Sequence, residues 1–121
     1  MTQKSELGQF GEDLACKYLV EKGYKIIERN FRRPWGELDI VCRAPDKTLV
    51  FVEVKTMSQN VGGIQPEDQL TKAKLRKTQK AASLYAGHRQ ELIKNNRGWR
   101  IDLIALTIQG ENCDIKHYEN I

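Results

Sequence analysis

The chain is poor in the features that mark several large protein classes. It carries three cysteines in 121 residues, Cys16, Cys42 and Cys113. An odd, widely spaced set builds neither a disulfide framework nor a zinc knuckle, and it fits a reducing cytosol. Cys42 lies in an apolar run and reads as a small buried hydrophobe. No apolar stretch approaches the ~20 residues that a bilayer-spanning helix needs. Met1 to Glu6 leads into a charged amphipathic segment, not the apolar core of a signal peptide. These absences point to a soluble, cytoplasmic protein with no membrane partner. The two histidines, His88 and His117, have no spacing for metal binding or nucleophile activation and read as surface residues. Neither a Gly-rich phosphate loop nor a Ser or Cys nucleophile with its base can be assembled. Repeats, low-complexity tracts and long linkers are absent too, so the length predicts one domain over residues 1–121.

What is present is charge, unevenly placed. The formal net charge is only +4, but residues 71–100 hold nine Lys or Arg against one acid, Glu91, a local +8. The remainder holds 11 bases and 15 acids, a local −4. A basic segment beside an acidic one suggests a polyanionic partner next to chemistry that uses carboxylates. A solvated basic helix with no partner accounts for the charge equally well.

Apolar residues at Leu7, Phe10, Leu14 and Tyr18 predict a helix from Ser5 to about Glu21, capped by Ser5 and stopped by Gly23. Gly8, Gly11 and Ala15 form a second, narrow stripe on it. Two interior glycines cost a helix ~1 kcal/mol each relative to Ala, so a close backbone approach is expected there, with Glu12 beside it. Strand-like runs follow at Tyr24–Phe31, Glu37–Arg43 and Thr48–Thr56, the last two joined by the turn residues Ala44-Pro45-Asp46-Lys47. After a loop with Gly62-Gly63 comes a second helix, roughly Thr71–Ala86. Its packed side holds Leu75, Thr78, Ala82, Tyr85 and Ala86, while Arg76, Lys77 and Lys80 point away. Strands at Trp99–Thr107 and Cys113–Tyr118 complete the order α-β-β-β-α-β-β, an α/β fold with a mixed sheet of about five strands flanked by helices.

The central hairpin carries the chemistry. Strand side chains alternate faces. Leu38, Ile40 and Cys42 therefore share one apolar face with Val50, Val52 and Val54. The opposite face is apolar near the turn and charged beyond it. A turn centred on Asp46 sets Val41 opposite Phe51, Asp39 opposite Glu53 and Glu37 opposite Lys55. Facing carboxylates destabilise a hairpin, and a cation between them reverses the sign. Hard carboxylate oxygens suit Mg²⁺ or Mn²⁺. With Lys55 on the same face to polarise water or steady a phosphate, the arrangement supports phosphodiester hydrolysis. Glu12 becomes a further ligand if the glycine stripe brings its helix to this end of the sheet. A cross-strand Glu37–Lys55 pair with a solvated Asp39 is the plain structural alternative.

Several segments resemble a known family: Gly8-Gln9-Phe10-Gly11-Glu12-Asp13-Leu14-Ala15, Glu21-Lys22-Gly23-Tyr24, Gly36-Glu37-Leu38-Asp39-Ile40-Val41 and Val52-Glu53-Val54-Lys55-Thr56. The ordered set, extending to Arg100-Ile101-Asp102-Leu103, resembles the YraN-like bacterial family. That family looks like a branch of the PD-(D/E)XK nuclease superfamily, close to archaeal Holliday-junction resolvases. The resemblance implies a restriction-endonuclease-like fold and metal-dependent cleavage of nucleic acid, DNA before RNA. It implies catalytic roles for Glu12, Asp39, Glu53 and Lys55, with Asp39 and Glu53 as ligands of Mg²⁺ or Mn²⁺. Lys74 matches the family's basic residue at the start of the second helix, and resolvase-like relatives suggest a homodimer. Leu38 stands where the superfamily has Pro. Leu75 stands where a Gln is expected, which removes one polar support.

Further candidates carry two readings each. Arg32 and Arg33 could grip phosphates while Trp35 stacks on a base or wedges a junction; alternatively Trp35 is a lid on the core and the arginines are solvated. Lys72, Lys74, Arg76, Lys77 and Lys80 are the helical candidates for backbone binding. Gln59-Asn60-Val61-Gly62-Gly63 is a substrate loop or a plain linker. Asp102 reads as one half of a structural salt bridge, with a basic residue of the second helix as the expected partner. Beside the endonuclease of branched, flapped or single-stranded DNA stand a non-catalytic nucleic-acid-binding protein on a nuclease-derived fold and a protein-interaction adaptor.

Overall fold

The chain's structure, a computed structural model, describes residues 5–58, 62–94 and 97–121. Of the expected substrate loop, Gln59, Asn60 and Val61 lie outside the described residues. The elements run α1 (Glu6–Glu21), β1 (Lys25–Arg33), β2 (Gly36–Arg43), β3 (Leu49–Met57), α2 (Lys72–His88), β4 (Trp99–Gln109) and β5 (Asn112–Tyr118). This is the expected order. Short 3-10 turns at Pro66–Gln69 and Gln90–Leu92 flank α2. The five strands form one sheet in chain order, antiparallel except for the parallel pair β3 and β4, whose connection contains α2. Among the described residues, no helix is long and apolar enough to cross a membrane.

Both helix starts are capped as their sequences dictate. Ser5 Oγ accepts from Gly8 N–H at 3.0 Å and Thr71 Oγ1 from Lys74 N–H at 3.1 Å, each satisfying an otherwise orphaned donor. The β2–β3 turn closes through Asp46, whose carboxylate accepts from Thr48 N–H. It sets Val41 opposite Phe51 and Ile40 opposite Val52, the predicted register.

Each face of the sheet is covered by one helix. Under α1, Ala15 and Leu19 pack on Ile40, Cys42, Val50, Val52, Ile104 and Leu106. Under α2, Ala81, Ala82 and Tyr85 pack on Phe31, Val41, Leu49, Phe51 and Ile101. A central strand buried on both faces has no solvent side, which explains the unbroken apolar run Leu49-Val50-Phe51-Val52.

Two packing expectations are corrected. The buried face of α1 is Gly11, Glu12, Ala15, Cys16 and Leu19, leaving Phe10 52% exposed. The narrow stripe wins because it lets the helix sit on β3: a Cβ on Gly11 would lie 1.9 Å from Thr56 Oγ1. Leu38 does not share its face with Ile40; it joins Phe31 in the core under α2. The reason lies on the neighbouring strand, where Asn30 adopts φ 53°, a left-handed conformation that Asn tolerates better than most residues. Side-chain alternation resets there. Arg29 pairs with Ile40 of the α1 core, and Phe31 pairs with Leu38 of the α2 core.

Candidate functional site

The predicted chemistry sits where β2 leaves β3. Their backbone pairing runs from Arg43–Leu49 to Ile40–Val52 and ends there. At the next position the Asp39 side chain takes over, its Oδ2 accepting from Val54 N–H at 2.9 Å. A carboxylate thus stands in for a backbone carbonyl, on the amide between Glu53 and Lys55. Glu53 is 4% exposed, and a carboxylate that far from water requires compensating charge. It has two cations: Lys55 Nζ lies 3.6 Å and Lys74 Nζ 3.9 Å from Glu53 Oε1. Lys74 therefore leans from the first turn of α2 toward Glu53. The expected Glu37–Lys55 pair does not form, because β2 has parted from β3 by that point. Glu37 faces Arg32 across β1, with its carboxylate 4.0 Å from Arg32 Nε.

Glu12 is fully buried on the face that α1 covers. Arg29 donates to its Oε1 from both Nε and Nη2, each at 3.3 Å, and also bonds Asp13. That guanidinium, helped by Gln9, holds the Asp13 carboxyl below the usual carboxylate range. Sequence patterning does not single out Arg29. Its neighbours Glu28, Arg32 and Arg33 are charged as well, and only the pairing with Ile40 places it on the face under α1.

Among the described residues, no three His, Cys, Asp or Glu side chains converge on one point. A divalent ion here would rest on the carboxylates of Asp39 and Glu53 and otherwise on water. That donor set fits Mg²⁺, which keeps several waters and takes one or two carboxylates plus substrate phosphate.

The basic candidates divide into engaged and exposed groups. Arg32 donates to Phe31 O at 3.2 Å, and Arg33 lies over the Phe31 ring at 4.3 Å. Lys72, Arg76, Lys77 and Lys80 are exposed. Between the β1–β2 turn and α2 lies a cleft of about 560 Å³, lined by Pro34, Trp35, Gly36 and Glu37 on one side and Lys74, Lys77, Thr78 and Lys80 on the other. Its walls meet where Gly36 packs on Ala81; a Cβ on that glycine would come within 2.6 Å of Ala81 Cβ. Trp35 is a partly exposed lid on the core. It packs against Phe31 and His88, yet stays 36% exposed.

Asp102 forms a structural ion pair with Arg100 and accepts further hydrogen bonds, but not from the second helix. Its partners are Arg100 at 3.0 Å and His117 Nε2 at 2.8 Å, with Asn120 N–H at 3.0 Å. Burial pushes its carboxyl up, and the bonds from His117, Arg100 and Asn120 outweigh burial and hold it below the ordinary value. His117 is thus no surface residue. Its side chain is 10% exposed, its Nδ1 meets Tyr18 Oη at 3.2 Å, and its ring lies edge-on to that tyrosine. Local spacing could not reveal a link between residues 18, 102 and 117.

Compared with known proteins, residues 11–106 match the family described as "Uncharacterised protein family UPF0102". The chain belongs to the UPF0102 family. Its relatives include the UPF0102 protein of Fervidobacterium nodosum, 42% identical over 113 residues, covering 93% of this chain and 79% of that one. The UPF0102 protein of Syntrophomonas wolfei is 40% identical over 115 residues, covering 95% and 96%. That of Geobacter metallireducens is 42% identical over 114 residues, covering 94% and 89%. The UPF0102 match spans Glu12, Asp39, Glu53, Lys55 and the lysines of α2, and ends at Leu106, before the strand that carries His117.

Proposed function

We propose that this UPF0102 protein is a divalent-metal-dependent endonuclease with a restriction-endonuclease-like fold of the PD-(D/E)XK type, acting on structured DNA. The observation that carries the reading is the Asp39 carboxylate seated on the Val54 amide, between Glu53 and Lys55. That bond holds Asp39 beside the strand that carries Glu53 and Lys55, whose side chains lie 3.6 Å apart. Asp39 and Glu53 would hold Mg²⁺ or Mn²⁺. When bound, the ion supplies Lewis acidity toward a phosphate oxygen and lowers the pKa of water. The Val54 amide fixes the orientation of Asp39, so its charge is placed before any substrate arrives. Lys55 and Lys74 set positive charge beside the nearly dry Glu53 and offer it to a phosphate. The exposed lysines of α2 contribute sequence-independent backbone affinity.

A second reading, a non-catalytic nucleic-acid-binding protein, draws on the same ion pairs, because both lysines already neutralise Glu53. Asp39→Asn separates the two. Asn keeps an acceptor for the Val54 amide and loses the charge. Mg²⁺ or Mn²⁺ at 100 times its Kd should stabilise the wild type by about 2.7 kcal/mol and leave Asp39→Asn unmoved in a thermal-shift titration. The same variant should bind branched, flapped and single-stranded DNA without cutting it. No metal-dependent shift in the wild type, or an equal shift in both proteins, defeats the metal-centre reading.

A further inference from the structure

The cleft beside Trp35 has a shape and chemistry that a general basic surface lacks. Lys74, Lys77 and Lys80 stand at three-residue intervals along α2, each step a rise of ~4.5 Å, and all three line it. The opposite wall carries one large aromatic side chain, Trp35. The first lysine of the row also touches Glu53 at 3.9 Å, so the row leads from the indole to the acids. The ring neighbours of Trp35 approach tilted by 56° (Phe31) or edge-on at 72° (His88); neither stacks parallel on it. Among the described residues, Glu37 is the one acid on these walls, and it faces Arg32.

Size decides which nucleic acid fits. A volume of about 560 Å³ lies in the range of clefts that enclose a drug-sized ligand. It admits a nucleotide or two of a strand, not a duplex. An aromatic platform gains stacking energy only from a base that has left its own stack. We propose that this cleft is a subsite for an unpaired strand, with a base on Trp35 and the following phosphates on Lys80, Lys77 and Lys74. It would deliver the strand to Asp39 and Glu53 and make single-stranded tails or flaps the preferred substrate. The inference rests on the nucleic-acid part of the proposed function, and not on catalysis.

The test is binding in EDTA, by fluorescence anisotropy of a labelled oligo-dT and of a hairpin duplex, over a range of salt. Trp35→Ala should weaken oligo-dT binding about 5- to 150-fold, the range of one base–aromatic stack, and leave duplex binding unchanged. Trp35→Phe keeps both the packing on Phe31 and a stacking face, and should restore most of the affinity. Lys77→Gln and Lys80→Gln, at exposed positions that leave the core intact, should each lower the salt slope for oligo-dT by about 0.7. Equal losses on both substrates in Trp35→Ala, or none on oligo-dT, overturn the proposal. If Trp35→Ala does not fold, quenching of wild-type indole emission by oligo-dT that persists undiminished in Trp35→Phe overturns it instead. A wild type without salt-dependent affinity for either substrate defeats the nucleic-acid reading itself. Preserved single-strand selectivity with no metal response defeats only the nuclease reading and leaves this subsite standing.

Discussion

Replacing Gly11 by alanine adds one methyl group to the middle of α1, where helix propensity alone favours the change by ~1 kcal/mol. The structure reverses that sign. The new Cβ would lie 1.9 Å from Thr56 Oγ1 and 2.8 Å from both Thr56 Cβ and Cγ2. Rotating the threonine moves the hydroxyl but not the Cβ, so the helix or β3 must shift. Overpacking of this kind costs about 1–3 kcal/mol, so a net loss of up to roughly 2 kcal/mol is expected after the propensity gain. Gly87, near the end of α2, is the control. A methyl group added there would meet open space, with nothing within 4 Å, and its φ is not in the left-handed range. Gly87→Ala should therefore stabilise by up to about 1 kcal/mol. Urea unfolding followed by far-UV circular dichroism separates the two outcomes. A double-mutant cycle sharpens the result. In a Thr56→Ala background the Oγ1 and Cγ2 contacts are gone, and the cost of Gly11→Ala should shrink by at least about 0.5 kcal/mol. If Gly11→Ala is as stable as Gly87→Ala, the argument from close approach is wrong. Thr56 directly follows Lys55, so a displaced β3 should also blunt the metal-dependent thermal shift.

Two further outcomes follow from the fold. Because the Asp102 carboxyl is held below its ordinary value of 3.8, its ion pair and hydrogen bonds stabilise the protein above about pH 4, and the contribution is lost as pH falls through the folded value. Asp102→Asn should cost about 1–3 kcal/mol at neutral pH, with the gap to wild type closing in melts below pH 4; a gap independent of pH would contradict this. At Asn30, whose φ is 53°, Asn30→Gly should be nearly neutral and Asn30→Val should cost about 1–2 kcal/mol. Equal stability of the two variants in urea would show that the left-handed residue does not set the strand's conformation.

The parts legible in sequence were those governed by short range. The turn at Asp46 fixed the β2–β3 register from four residues, and Ser5 and Thr71 marked helix starts through their own hydroxyls. The interior glycine at position 11 announced a close approach before its partner, Thr56, was known. Strict alternation failed between Leu38 and Ile40, where the paired residues of β1, Phe31 and Arg29, change faces too, across the left-handed Asn30. The Glu37–Lys55 pairing failed because a hairpin register says nothing of where two strands part. Phe10 shares its helical spacing with Leu14 and Tyr18, which pack on the core, yet it is 52% exposed; spacing does not reveal which face lets two backbones come nearest. His117 was misjudged for a related reason. Its partners, Asp102 and Tyr18, are remote along the chain, and only the β4–β5 pairing and the docking of α1 bring them to it.

The seat of Gly36 on Ala81 has an implication for how the Trp35 cleft works. With only the Ala81 methyl between them, the turn and the helix meet at a contact that leaves no room for a Cβ on residue 36. A strand bound there as proposed would meet a shape that this contact already sets, and little ordering entropy would be lost on its arrival. Selection at such a mouth would fall to the girth of the guest, with sequence left almost unread.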